Sequence, residues 1–278
     1  MTSGGAPFFL EEVGPCGDNS NQVDARARLT ERILSLTLPD GAARLRIQEI
    51  HREIRERSRY LREPDFRSIH TSDVAFLFRA YDERFFEGLY GPALDGRGLS
   101  FRLAPRLTRA GGSTARFRAR SGAHSFEIAV ATTILFDSFG QPGREVTACG
   151  LPCADRLEAL QRIVEHEMIH LAEYLCWDES NCSRPRFREI AARLFGHREH
   201  THNLMTRRER AAGAGIVAGS RVAFTFEGRR LVGRVNRVTK RATVLVEDPR
   251  GRLYSDGLRY ARYYVPIAGL EVLRAATA

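Results

Sequence analysis

The chain has almost no lysine. Lys240 is the single one in 278 residues, so nearly all of the 43 basic side chains are arginine. Set against 34 acidic residues, they leave a net charge of +9 at pH 7, which favours acidic partners such as nucleic acid. So one-sided a use of arginine can also reflect genome composition, and basicity by itself therefore identifies no partner. Long apolar runs are absent too: none approaches the roughly 18 consecutive residues that a membrane-spanning helix needs. The start, Met1-Thr2-Ser3-Gly4-Gly5-Ala6-Pro7, has no basic segment followed by an apolar stretch, so no signal peptide is expected and the expected compartment is the cytoplasm. The five cysteines (Cys16, Cys149, Cys153, Cys176, Cys182) are odd in number and read as free thiols or metal ligands rather than a disulfide framework. No internal repeat is present.

What the chain does have suits a folded protein. Hydrophobic residues make up 43% and charged residues 28%, enough apolar material for one medium domain and a small one. Residues 1–22 are small, polar and without periodicity, and read as a disordered tail. Residues 23–70 are arginine-rich, with Leu45, Ile47, Ile50 and Ile54 at helical spacing. They suggest charged amphipathic helices with a solvated face, or a nucleic-acid-binding arm. A helix is expected over 72–90, capped by Asp73 and ended by Gly91-Pro92, with Val74, Leu77, Phe78, Tyr81, Phe85 and Leu89 as its apolar stripe. Alternating segments at 99–103, 115–119 and 126–130 predict a small, mostly antiparallel sheet. Residues 132–139 begin another helix.

The next helix opens at Asp155 with Glu158 three residues on, the pattern of a capping box. Leu157, Leu160, Val164, Met168, Leu171 and Leu175 form its core stripe, and His166 and His170 fall on a different side. A helix over 185–195 follows, stopped by Gly196. After Gly213-Ala214-Gly215 short alternating runs take over, at 222–226, 231–238, 242–247 and 263–267. Turn signals at Glu227-Gly228, Pro249-Arg250-Gly251 and Asp256-Gly257 separate them. The pattern is that of a small all-β barrel over 217–274.

Chemistry concentrates in His166-Glu167-Met168-Ile169-His170. Residues four apart stack on one helical face, so both imidazoles can bind one metal. The intervening Glu167 then reaches a water on that metal and serves as general base, while zinc polarises a substrate carbonyl. A shuffle of this composition would produce the pentad about 0.02 times, so chance is a poor explanation. The alternative is a surface helix that happens to carry two histidines.

With this pentad in place, residues 72–205 resemble the SprT-like (Spartan-type) metalloproteases. The order of parts is similar: Phe85-Phe86 after a helix, the 99–104 strand, Ala110-Gly111-Gly112, the 126–130 strand, the HExxH helix, a short helix, and the later Thr201-His202 pair. The resemblance implies an α+β, minimal zincin-like domain at 71–212 with a zinc cofactor and peptidase activity on a protein substrate. The best-known members cut proteins crosslinked to or bound on DNA. In the family a histidine at the start of the second helix supplies the third zinc ligand, and by spacing from His170 that position here is Ser183. The preceding Cys182 is the better zinc ligand as a thiolate, and Ser183 has an alternative role as N-cap of the helix at Pro185. Glu173, or a histidine among His197, His200 and His202, could also complete the site. Glu173 could instead orient a ligand or lie on the surface. His202 could steady a tetrahedral oxyanion or make a structural hydrogen bond. Cys149 and Cys153 read as ordinary thiols, since no second pair completes a zinc knuckle.

The C-terminal segment is the most basic part: residues 217–270 carry 11 basic and 4 acidic residues. Tyr254, Tyr260, Tyr263 and Tyr264 are interleaved with Arg252, Arg259 and Arg262, and Arg229, Arg230 and Arg234 lie upstream. Aromatics beside arginines suit sequence-tolerant binding of DNA or RNA. The candidate binding residues are Arg234, Arg252, Arg259, Arg262, Tyr263 and Tyr264. The segment resembles SH3-like, Tudor or KOW barrels in a general way, and a protein-interaction module with core tyrosines is the alternative. Three functions stay open: a zinc endopeptidase working on proteins held on nucleic acid, a non-catalytic nucleic-acid-binding protein with a structural or degenerate zinc site, and a metallohydrolase for a non-peptide bond.

Overall fold

The computed structural model describes residues 19–139, 144–205, 207–239 and 241–273, a mixed α+β chain. The expected tail at 1–18, Cys16 and Lys240 lie outside the described residues. Residues 19–22 of that tail open the first helix instead. No helix among the described residues is long and apolar enough to cross a membrane. The chain divides into two compact units, one ending at Leu204 and the other beginning at Met205.

The first unit starts with α1 (Asn19–Ser35) and α2 (Ala42–Arg57). Their arginine content suggested solvated helices, yet Leu29, Ile33, Ile47, Ile50 and Ile54 are buried in the same core as the elements that follow. Leu45 does not join them and is 62% exposed. Arginines here are tied to this unit: Arg32 donates to the Phe85 carbonyl and Arg46 to the Arg84 carbonyl.

α3 (Thr71–Phe86) is capped by His70, whose ring accepts from the Ser72 N–H, while Asp73 accepts from the His70 N–H at 2.8 Å. Asp73 is thus the third helical residue, closing the box from inside rather than acting as cap. The helix ends four residues early, at Glu87 with φ 57° and Gly88 with φ 73°, because two successive left-handed residues cannot continue the turn. Gly91 and Pro92 belong to the short α4 (Tyr90–Leu94).

β1 (Leu99–Leu103), β2 (Gly112–Arg118) and β3 (His124–Val130) form a sheet in the order β1-β3-β2. β2 pairs antiparallel with β3, but β1 runs parallel to it, Leu99 opposite Phe126 and Leu103 opposite Val130. Strand alternation carries no directional information, so the expected mostly antiparallel sheet is corrected here. After α5 (Thr132–Ser138) a two-residue turn, Cys149-Gly150, joins β4 (Thr147–Ala148) to β5 (Leu151–Pro152).

The central element is α6 (Arg156–Trp177). Asp155 caps it, accepting from the Glu158 N–H at 2.9 Å, and Glu158 reaches back to the Ala154 N–H. All six expected core-stripe residues are buried, and so is most of the other side of the helix. β2 covers it by period two: Gly112 and Thr114 lie against Glu167, and Arg116 lies over the Tyr174 ring. α7 (Pro185–Phe195) ends at Gly196 as its sequence suggested, and Phe187, Ile190, Ala191, Leu194 and Phe195 are buried. Its N-cap is Arg184, not Ser183; the Ser183 N–H and hydroxyl both donate to Asn181 Oδ1.

The second unit comprises α8 (Arg207–Gly213) and a five-stranded antiparallel sheet. Ala211 and Ile216 are buried in its core, so the boundary lies before this helix rather than at 212–217. The strands are β6 (Arg221–Phe226), β7 (Arg229–Val238), β8 (Ala242–Leu253), β9 (Arg259–Val265) and β10 (Glu271–Val272), ordered β10-β6-β7-β8-β9. The turn expected at Pro249-Arg250-Gly251 is instead an irregularity inside β8, where the register to β9 shifts between Glu247 and Arg252. β7 has a similar break between Val235 and Arg237. Val222, Phe224, Val235, Val244 and Val265 fill the apolar side.

Candidate functional site

Helical spacing brings the pentad's three polar residues together, and packing then encloses them. His166 Nε2 and His170 Nε2 stand 3.1 Å apart. Phe187 of α7 covers both rings, at 4.8 and 4.6 Å between centroids. His166 is 5% exposed and Glu167 2%, while His170 stays partly exposed, so the histidine face implied by the sequence is covered at His166 and open only at His170. Burial pushes the His166 pKa down to about 2, helped by the neighbouring His170 and His202, and holds His170 at about 4. Both are neutral at pH 7, with lone pairs free for a cation.

Glu167 is pushed the other way. Burial raises its carboxyl to about 8, against the hydrogen bonding of Thr114. The Thr114 hydroxyl lies 2.9 Å from both Glu167 Oε2 and the Glu167 carbonyl oxygen. The closeness of β2 depends on missing side chains. A Cβ on Gly112 would stand 2.7 Å from Glu167 Oε1, and one on Gly111 would stand 3.0 Å from the His202 ring.

His170 is held from behind. Its Nδ1 lies 2.6 Å from Ser180 Oγ, and Ser180 donates to Glu173 Oε2 at 2.8 Å. Glu173 is fully buried and also accepts from the Asn181 N–H and from Arg186 Nε. It is therefore not a surface carboxylate, and it reaches His170 only through Ser180. The Arg186 guanidinium lies 4.6 Å from the Trp177 ring centre.

Among the described residues, two triads have donor atoms within 4.8 Å of one another: His166, His170 and Cys182, and Cys149, His166 and His202. Cys182, in the loop between α6 and α7, is the partner expected from sequence, and burial raises its thiol pKa. Cys149 was read as an ordinary thiol. It is fully buried, with Sγ 3.8 Å from His166 Nδ1 and 3.9 Å from His202 Nδ1. The Cys149 N–H donates to His202 Nδ1 at 3.3 Å, and an isolated bridge pairs Ala148 with His202. Burial lowers the His202 pKa to about 4.

His197 takes no part in either triad. It bonds Glu165 Oε2 at 2.9 Å, within a buried set that includes Tyr81 and Arg162. Burial opposes the charge of Glu165, yet Arg162, His197 and Tyr81 together hold its carboxyl below the usual range. Three glutamates on α6 are thus buried, and among the described residues Glu167 has the fewest protein partners of the three. Thr114, Ser180 and Arg186 had no signal in the sequence as site residues, because each arrives from a different element, and Cys149 was weighed only as half of a zinc knuckle with Cys153.

In the second unit, cross-strand register sorts the candidate binding residues by face. Arg221, Arg234, Leu245 and Arg262 form one row across β6, β7, β8 and β9, and Tyr264 lies opposite Thr243 on the same side. Arg234, Arg262 and Tyr264 are exposed, Tyr264 by 60%. Arg252 pairs with Tyr260, whose hydroxyl donates to Asp256 Oδ2. Tyr263 turns to the opposite, apolar side, where it packs on Phe224 and Phe226. Arg259 donates to the Gly251 carbonyl. The two tyrosines expected to stack on bases therefore do not share a face. Compared with protein-family models, curated proteins and solved structures, the chain finds no significant match.

Proposed function

We propose that the chain is a zinc-dependent endopeptidase of the SprT-like type, with a minimal zincin-like domain followed by a small SH3-like barrel. One observation carries the reading: two neutral imidazole nitrogens 3.1 Å apart, beside a buried carboxyl held by Thr114. The donor set fits zinc. Two nitrogens at about 2.0–2.1 Å from a tetrahedral ion stand about 3.3 Å apart, close to what His166 and His170 present. Cys182 supplies a third, softer ligand, and Ser183 is committed to Asn181. Bound zinc would polarise a peptide carbonyl and lower the pKa of a water toward neutrality.

The chain's own residues supply the rest. A nearby divalent cation favours the charged carboxylate, so the raised pKa of Glu167 falls when the site is filled. Glu167 then accepts a proton from the attacking water and returns it to the leaving amine nitrogen. Thr114 keeps its carboxylate in place, and the Ser180–Glu173–Arg186 chain sets the His170 ring. His202 accepts at Nδ1, so its neutral ring carries the proton on Nε2, the form that can donate to an oxyanion.

The substrates we assign are proteins held on DNA or RNA. Support comes from the exposed face bearing Arg234, Arg252, Arg262 and Tyr264, which combines phosphate-binding charge with a stacking ring. The irregularities in β7 and β8 suit a sheet that curls toward a barrel. A non-catalytic protein with a structural zinc is the second reading, favoured by the serine at the position where the family has its third histidine. The test is zinc analysis of the purified chain together with cleavage of a DNA-bound protein, compared with Glu167→Gln. About one zinc per chain and cleavage by the parent alone are expected. Zinc with equal, background cleavage in both would leave the structural reading.

A further inference from the structure

The two histidines differ in what stands behind them. His170 Nδ1 faces oxygen, the Ser180 hydroxyl backed by Glu173. His166 Nδ1 faces sulfur, with Cys149 Sγ at 3.8 Å. A histidine that binds metal through Nε2 carries its proton on Nδ1, and that N–H needs an acceptor. Buried as His166 is, it cannot find one in water.

Cys149 is held in place at some cost. It sits at φ 53° and Gly150 at φ 71°, the two left-handed residues of a type I′ turn between β4 and β5. Asparagine, aspartate or glycine suits the first of these positions, and a cysteine there is strained. The turn is tied down nevertheless, since the Arg198 and Glu199 N–H groups both donate to the Cys149 carbonyl. The thiol donates to the Arg162 carbonyl at 3.6 Å, which leaves its sulfur lone pairs toward the imidazole.

We propose, on the basis of the metal site above, that Cys149 is a positioning residue: its sulfur accepts the Nδ1 proton of His166 and so aims Nε2 at the cation. Ligation by Cys149 itself fits less well. The lone pair of His202 Nδ1 is already turned to the Cys149 N–H. A metal on His166 Nδ1 would also take that ring away from the close pairing of its Nε2 with His170.

The test uses the full chain loaded with cobalt(II), in which a thiolate ligand gives charge-transfer absorption, and chelator competition for affinity. Cys149→Ala should weaken metal binding about 10- to 100-fold and leave the absorption per bound cobalt intact, because Cys182 supplies the thiolate. Cys149→Asn suits the left-handed turn and offers a longer-reaching acceptor, so it should recover most of the lost affinity. Unchanged affinity in Cys149→Ala would overturn the inference, as would no recovery in Cys149→Asn. Lost absorption in either variant would make Cys149 a ligand and overturn it too. Should the alanine variant not fold, Cys149→Asn decides by near-native affinity and full absorption together. Failure of the parent chain to bind cobalt would instead reject the metal site, a different result.

Discussion

The two units place their polar side chains in opposite ways. Every buried charged or histidine side chain among the described residues lies in the first unit: Asp73, Asp82, Glu165, His166, Glu167, Glu173 and His197. The second unit has none among them, and the arginines and acids of its sheet sit on strand faces and turns. A buried charge must find partners or shift its pKa, so its surroundings carry information about its use. An exposed arginine has no such constraint, and only the register of its strand says which others it can act with. The first unit therefore argues for a site from individual atoms, the second for a surface from rows.

Removing the base should strike the first unit alone. Glu167→Gln should keep zinc and lower turnover by about 10²- to 10⁴-fold, the range of general-base loss, with nucleic-acid affinity unchanged. Steady-state cleavage and a binding isotherm on the same preparation check both halves. A parallel fall in nucleic-acid binding would erase the distinction between the units.

Asp82 tests whether a buried charge in the first unit carries a measurable penalty. Burial raises its carboxyl from 3.8 to about 7, opposed by the Tyr90 N–H that donates to Oδ1. The folded state holds this proton where the unfolded state has lost it, so stability falls as pH rises from about 4 to 7. Asp82→Asn keeps the acceptor and removes the charge. It should stabilise by up to ~4 kcal/mol above pH 7 and by almost nothing near pH 4, read from denaturant unfolding at both. A gain independent of pH would mean that ionisation is not the cause.

Glu173→Gln probes the orienting chain behind His170. Metal affinity should fall about 10- to 100-fold, measured by chelator competition, with helix content retained in circular dichroism. Native affinity would show that Ser180 alone suffices to set the ring.

The smallest effects belong to the second unit. In a Glu167→Gln background, Tyr264→Ala should weaken single-stranded DNA by about 1–3 kcal/mol without loss of structure. Tyr263→Ala should act through folding, lowering the unfolding midpoint. Arg234→Ala and Arg262→Ala should each reduce the slope of log K against log salt by about 0.7–0.9, the share of one phosphate that is no longer neutralised. Equal behaviour of the two tyrosines would contradict the assignment of faces. No binding at low salt would remove nucleic acid from the proposal and leave the peptidase reading standing.

Local rules made some elements legible. The Asp155 cap, the stripe from Leu157 to Leu175 and the Pro185 to Gly196 helix follow from capping chemistry and the 3.6-residue period, which act within a few residues. The same rules misplaced the end of α3, because the first left-handed residue there is Glu87, one before Gly88, and a glutamate announces no stop. They also took Pro249-Arg250-Gly251 for a turn, where β8 absorbs these residues as an irregularity.

His166, Glu167 and His170 share a helix, so the sequence alone determined their spacing and their common chemistry. Whether that face is open, what stands behind each ring, and which tyrosine meets solvent were decided only by tertiary structure. Phe187, Thr114, Ser180 and Cys149 reach the pentad from α7, β2, the α6–α7 loop and the β4–β5 turn. Contacts between separate elements depend on how those elements pack, and no period along a single strand or helix encodes that.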